Sequence, residues 1–136
     1  MNKLNLAIAA SLLALAPVAN AAQPIVGLWD THYSNGFHTH EQWHSDGTEF
    51  EVNSLGPGAV CQGTWKSTSD HGIKLKHVGF AFFPDVPGAI PFDETQELTV
   101  ATDGKSYQGS YHTVYHTPGG DIEDAGTVNA NKITVD

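Results

Sequence analysis

Arginine is absent from this chain, and cysteine occurs once, at Cys61. Without arginine the chain has no planar guanidinium to clamp phosphate or carboxylate in two-point contacts. Six lysines stand against fifteen acidic residues, a formal net charge of −9, which argues against nucleic acid or an anionic membrane surface as a partner. A lone cysteine excludes an intramolecular disulfide, and its thiol is expected to be buried as a small apolar group. After residue 21 no apolar run approaches the length of a transmembrane span, and no segment carries sustained helical periodicity. There is also no glycine-rich phosphate loop, no calcium-loop spacing and no nucleophile beside an obvious base.

The first 21 residues account for the longest apolar stretch. Lys3, an apolar core beginning at Leu4 and the small-x-small triplet Ala19-Asn20-Ala21 describe a secretory signal peptide, so the mature chain is expected to begin at Ala22 and to be exported, periplasmic or secreted. Loss of Lys3 with the leader takes the formal net charge from −9 to −10. The remaining stretch, 22–136, is about the right length for a single domain with its own core, and a monomer is expected.

Turn signals punctuate that stretch: Asn35-Gly36, Asp46-Gly47, Gly56-Pro57-Gly58, Asp70-His71-Gly72, the proline-rich stretch containing Pro84, Pro87 and Pro91, Asp103-Gly104, and Pro118-Gly119-Gly120. Between them lie eight segments, at 25–33, 37–45, 48–55, 59–67, 73–83, 93–101, 105–117 and 121–135, rich in Val, Ile, Thr, Tyr, Phe and Trp. The reading is all-β, an eight-stranded antiparallel up-and-down barrel. Alternate turns of a meander lie at one end. The tight turns at residues 46–47, 70–72 and 103–104 mark a closed end, and the longer connections at 55–59, 84–91 and 117–121 mark a mouth. Strand direction places Trp29, Trp43 and Trp65 toward the closed end as a core plug, and makes the proline-rich loop, with Phe83 and Phe92, a semi-rigid apolar lid.

Gly27-Leu28-Trp29 on the first strand, Gln42-Trp43-His44-Ser45-Asp46-Gly47-Thr48-Glu49, Gly63-x-Trp65 and the closing Lys132-Ile133-Thr134-Val135-Asp136 resemble the lipocalin, or calycin, superfamily, and more narrowly a group of small exported bacterial lipocalin-like proteins. The resemblance spans nearly all of 22–136. It implies a lipocalin-like barrel with a cavity for a small molecule. The disulfides and C-terminal helix of typical secreted lipocalins are missing here.

The run Phe37-His38-Thr39-His40-Glu41-Gln42-Trp43-His44 alternates, with Phe37, Thr39, Glu41 and Trp43 on one face and His38, His40, Gln42 and His44 on the other. A two-residue loop at Asp46-Gly47 would put Phe50 and Val52 on the Trp43 face and Glu49 and Glu51 with the histidines. A three-residue loop Ser34-Asn35-Gly36, with Gly36 as a left-handed bulge residue, brings Trp29, Tyr33, Phe37 and Trp43 together inside. His32 then lies opposite His38 on the outer wall and Asp30 opposite His40. Imidazoles paired in this way are metal ligands, so His32, His38 and His40 are the candidate metal site; the alternative is a solvated polar wall.

With Lys74 and Lys76 in water, the fifth strand turns Ile73, Leu75, His77, Gly79, Ala81 and Phe83 inward. Gln96, Leu98 and Val100 follow on the sixth strand, with Tyr107, Gly109, Tyr111, Thr113 and Tyr115 on the seventh. A carboxylate inside such a barrel needs a partner, and His77 is the candidate partner of Glu41. The first functional reading is a barrel that binds a small, largely apolar or neutral ligand, with Tyr33, Phe37, Phe83, Gln96, Tyr111 and Tyr115 contacting it. The second is a cofactor-free isomerase, cyclase or lyase in which His77 and Glu41 act as acid and base. The third is a metal- or haem-binding protein using the surface histidines. No cofactor is identified from the residues.

Overall fold

The computed structural model describes residues 23–54 and 60–135; residues 1–22, where a signal peptide is expected, the 55–59 connection and residue 136 lie outside them. Eight strands form one closed antiparallel barrel with each strand beside its sequence neighbours: β1 (Gly27–Tyr33), β2 (His38–Trp43), β3 (Thr48–Asn53), β4 (Val60–Ser67), β5 (Gly72–Ala81), β6 (Ile90–Val100), β7 (Ser106–Thr117) and β8 (Gly120–Ile133). Closure comes from β1 against β8, in register from Leu28↔Ile133 to Tyr33↔Val128. No helix among the described residues is long and apolar enough to cross a membrane.

The tryptophans fill the closed end. Trp29, Trp43 and Trp65 pack with Ile25, Leu75, Val100 and Tyr107, and the Trp43 ring stands edge-on to Trp65 and to Tyr107. Each such ring removes about 150–250 Å² from water, worth about 4–6 kcal/mol at about 25 cal/mol per Å². The indole N–H groups are satisfied without water: Trp29 donates to the Ile25 carbonyl at 2.7 Å, and Trp65 to the carbonyls of His44 and Thr48, each at 3.1 Å. At the other end the walls differ in height. β5 and β6 pair up to Ala81↔Ile90, and β7 and β8 up to Thr117↔Gly120, whereas β1 and β2 stop at His32↔His38.

The first hairpin follows the expected bulge. Gly36 takes φ +93°, Tyr33 N–H donates to the Phe37 carbonyl, and His32 faces His38 while Asp30 faces His40. The second hairpin does not follow the expected two-residue turn. Gly47 takes φ +87°, His44 N–H donates to the Thr48 carbonyl at 2.9 Å, and Trp43 pairs with Glu49 and Glu41 with Glu51. One extra residue in the turn moves the register by one and flips every side chain of β3. Phe50 and Val52 are therefore exposed, at 37% and 50%, and Glu49 and Glu51 are buried, the reverse of the apolar/polar split read from the sequence. Asp46 fixes this geometry by accepting from the Thr48 N–H and hydroxyl.

Candidate functional site

Strand registers bring the barrel's polar interior together in two rows. One runs Glu49, Gly63, His77, Glu94, Thr113 across β3 to β7, and the other Glu41, Glu51, Cys61, Gly79, Phe92, Tyr115 across β2 to β7. Four carboxyl groups and one imidazole are thus buried in one barrel. Gly63 is the residue that lets the first row close. A Cβ there would lie 2.7 Å from the His77 Cβ and 2.8 Å from Glu49 Oε2, so only glycine allows those two side chains to meet over β4.

His77 does not pair with Glu41. Its Nε2 stands 3.1 Å from Glu94 Oε1, and its Nδ1 is 3.4 Å from Glu49 Oε2, within ion-pair range but off the hydrogen-bonding line. Burial opposes the charge on this imidazole, but the carboxylates of Glu49 and Glu94 outweigh it and hold the pKa well above the ordinary histidine value. Burial likewise pushes Glu94 up, and its contacts with His77, Thr113 and Gln96 more than reverse this, holding it below the usual carboxyl range. His77 and Glu94 are the charged pair of the interior.

Glu41 sits deeper, toward the tryptophans. It accepts from Trp43 Nε1 at 2.9 Å and from the Tyr107 hydroxyl at 2.5 Å. Burial, then the charges of Glu51 and Glu49, push its pKa up to about 8. Burial, with Glu94 and Glu49, pushes Glu51 up to about 7, against a lowering pull from His77; burial also raises Glu49. The geometry demands the same sharing of protons. The Tyr33 hydroxyl lies 3.4 Å from Glu41, 3.1 Å from Glu51 and 3.2 Å from Glu94, while Gln96 Nε2 donates to it at 2.7 Å. One hydroxyl has one proton to give, so three carboxylates cannot all be ionised around it.

Above this cluster a pocket of about 20 Å³ opens between Tyr33, Phe37, Thr39, Glu51, Asn53, His77, Phe92, Glu94 and Tyr115. That volume is about the space of one or two water molecules. Thr39 contributes a buried hydroxyl with no hydrogen-bond partner among the described residues. Phe83, from the β5–β6 connection, packs edge-on against Tyr115 at 5.2 Å and Val86 joins the same cluster.

The residues expected at the site divide accordingly. Tyr33, Phe37, His77 and Tyr115 line the pocket, Phe83 lies outside the lining and packs on Tyr115, and Gln96 supports the pocket from below through Tyr33 and Glu94. Tyr111 packs on Tyr33 and points its hydroxyl to Asp124 at 3.1 Å on the rim, and Glu41 lies under the pocket. Glu49, Glu51 and Glu94 were missed. The first two were hidden by the turn at Gly47; Glu94 follows from the same alternation that turns Gln96 inward. His32, His38 and His40 stand on the outer wall, exposed, beside Asp30. Cys61 is buried as expected, its thiol pushed up by burial and 3.6 Å from Glu51. In comparisons with known proteins the chain matches no family model, no curated protein and no solved structure.

Proposed function

We propose that this chain is an exported, lipocalin-like barrel that takes a small, largely apolar ligand at its mouth and holds the ligand's one polar group against Glu51, Glu94 and His77. The observation that carries this reading is the pocket itself: aromatic walls from Tyr33, Phe37, Phe92 and Tyr115 around a buried carboxyl that titrates near neutrality and an unpaired Thr39 hydroxyl. A group that can both donate and accept, an alcohol or an amine, fits such a floor best. At about 20 Å³ the pocket accepts only the polar head of a ligand, so the apolar body lies outside it, against the Phe83 and Tyr115 rings. Export rests on the leader sequence, and the mass of the secreted protein tests it: cleavage after Ala21 leaves Ala22 as the first residue.

Binding is measured with the fluorescent amine N-phenyl-1-naphthylamine. Phe83→Ala is expected to weaken binding through loss of an apolar contact, and His77→Gln to change affinity by about 1–3 kcal/mol, the scale of one buried hydrogen bond. If neither substitution alters binding, the ligand lies elsewhere and the reading fails. A second reading, proton transfer, is favoured by one arrangement: His77 and Glu94, 3.1 Å apart, share the pocket wall with Glu51, which burial pushes up to about 7. In that case His77→Gln lowers turnover by about two to four orders of magnitude with the fold intact.

A further inference from the structure

The outer wall carries a gathering of imidazoles that the interior site does not use. His32 and His38 face each other across β1 and β2, and their rings stack at 4.5 Å, nearly parallel at 5°. Asp30 lies two residues before His32 on the same outer face, and three imidazoles turn to its carboxylate. His32 Nε2 is 3.3 Å from Oδ2, His38 Nε2 makes a short contact with Oδ1, and His40 Nε2 is 3.6 Å from Oδ1. The ligand atoms of Asp30, His32 and His38 all lie within 4.8 Å of one another. Other outward histidines on the barrel are held differently: His112 meets Glu123 alone, and His116 sits as one ring between Asp93 and Asp121, with Lys76 already on Asp93.

We propose that Asp30, His32 and His38 form a site for a first-row divalent transition-metal ion, with His40 completing the protein ligands and solvent the remainder. Metal–nitrogen and metal–oxygen bonds of about 2.0–2.2 Å put two ligands of one ion up to about 4 Å apart, so closing the observed spacing needs shifts below about 1 Å. Side chains about half exposed make such shifts by rotation alone, because the ladder between β1 and β2 already fixes their Cα atoms. Imidazole with one carboxylate is a donor set for Cu(II), Ni(II) and Zn(II) and not for Ca(II) or Mg(II), which take oxygen, and the affinity order places Cu(II) first. All four ligands point away from the barrel interior, so this site is independent of the mouth pocket and of the reading given to it.

The test uses the whole secreted protein without a histidine tag, titrated with Cu(II) by calorimetry and examined by electron paramagnetic resonance. One Cu(II) should bind per chain, with hyperfine splitting from at least two nitrogens. His32→Ala/His38→Ala should weaken binding by about 100-fold, as loss of two imidazole donors requires, and Asp30→Asn by about tenfold with the nitrogen splitting retained. His112→Ala/His116→Ala should leave affinity within about twofold. The histidine positions are exposed and Asp30 is half-buried at the surface, and an unchanged circular dichroism spectrum certifies the fold of each variant. Cu(II) affinity that survives His32→Ala/His38→Ala, or no binding at all at about 0.1 mM protein and metal, overturns the site. Unchanged affinity in Asp30→Asn removes Asp30 from the ligand set.

Discussion

Proton ownership at single residues controls this barrel's interior. Glu41 is fully buried and its nearest donors are neutral, Trp43 and Tyr107, so it keeps a proton that an unfolded glutamate gives up at about 4.5. From there to about pH 8 the folded chain binds the proton and the unfolded chain does not, so stability falls as pH rises, with a slope approaching about 1.4 kcal/mol per pH unit for each such carboxyl. The raised His77 acts in the same direction, its contribution being complete below its unfolded value and lost as pH rises through the folded one. The lowered Glu94 acts in the opposite direction, and its contribution is lost in acid. Maximum stability is therefore expected on the mildly acid side of neutrality. Glu41→Gln keeps an acceptor for Trp43 and Tyr107 and cannot ionise; urea unfolding from pH 5 to 9 should show its stability flatter with pH by about one proton and higher than the unaltered chain at pH 9. Gly63→Ala is a second test at this scale. Its methyl must displace His77 or Glu49, so a loss of about 1–3 kcal/mol is expected in the same experiment, and a neutral result would mean that the two side chains do not meet over Gly63.

Among the elements, the β2–β3 hairpin decides which glutamates are inside. Most of the meander was legible because turn dipeptides and side-chain alternation both speak in the sequence: all eight strands fall within the expected segments or a few residues of them, the inward set of β5 follows from Lys74 and Lys76, and those of β6 and β7 follow from alternation carried through the Asp103-Gly104 turn. The register of β3 was not legible from apolar alternation, because the barrel interior itself is polar and Phe50 and Val52 are the residues placed outside. The Asp46-Gly47 pair is compatible with either turn, and only the left-handed Gly47 in a three-residue loop gives the observed pairing. Two substitutions test this register by chemical denaturation. Phe50→Ser should cost less than about 1 kcal/mol because its ring is on the outer wall, and Gly47→Ala should cost about 1 kcal/mol or more because its φ is +87°.

For the whole molecule, the tryptophan-filled end supplies apolar burial, while the open half spends it on carboxyls that an apolar core would not accept. The fold and the inward placement of Tyr33, Glu41, His77, Gln96, Tyr111 and Tyr115 could be read from the chain, since they rest on local periodicity. What periodicity could not supply was the partner list of His77, which depends on strands two apart meeting over Gly63. These buried carboxyls share protons near neutral pH beside a charged His77. Carbon-13 NMR of the glutamate side-chain carboxyls, followed from pH 4 to 9 with assignments from single Glu→Gln variants, tests it directly. Midpoints at about 7 for Glu51 and about 8 for Glu41 are expected, with that of Glu94 below the usual glutamate value. Midpoints for all of these carboxyls below about pH 5, the ordinary range of a solvated glutamate, would contradict it.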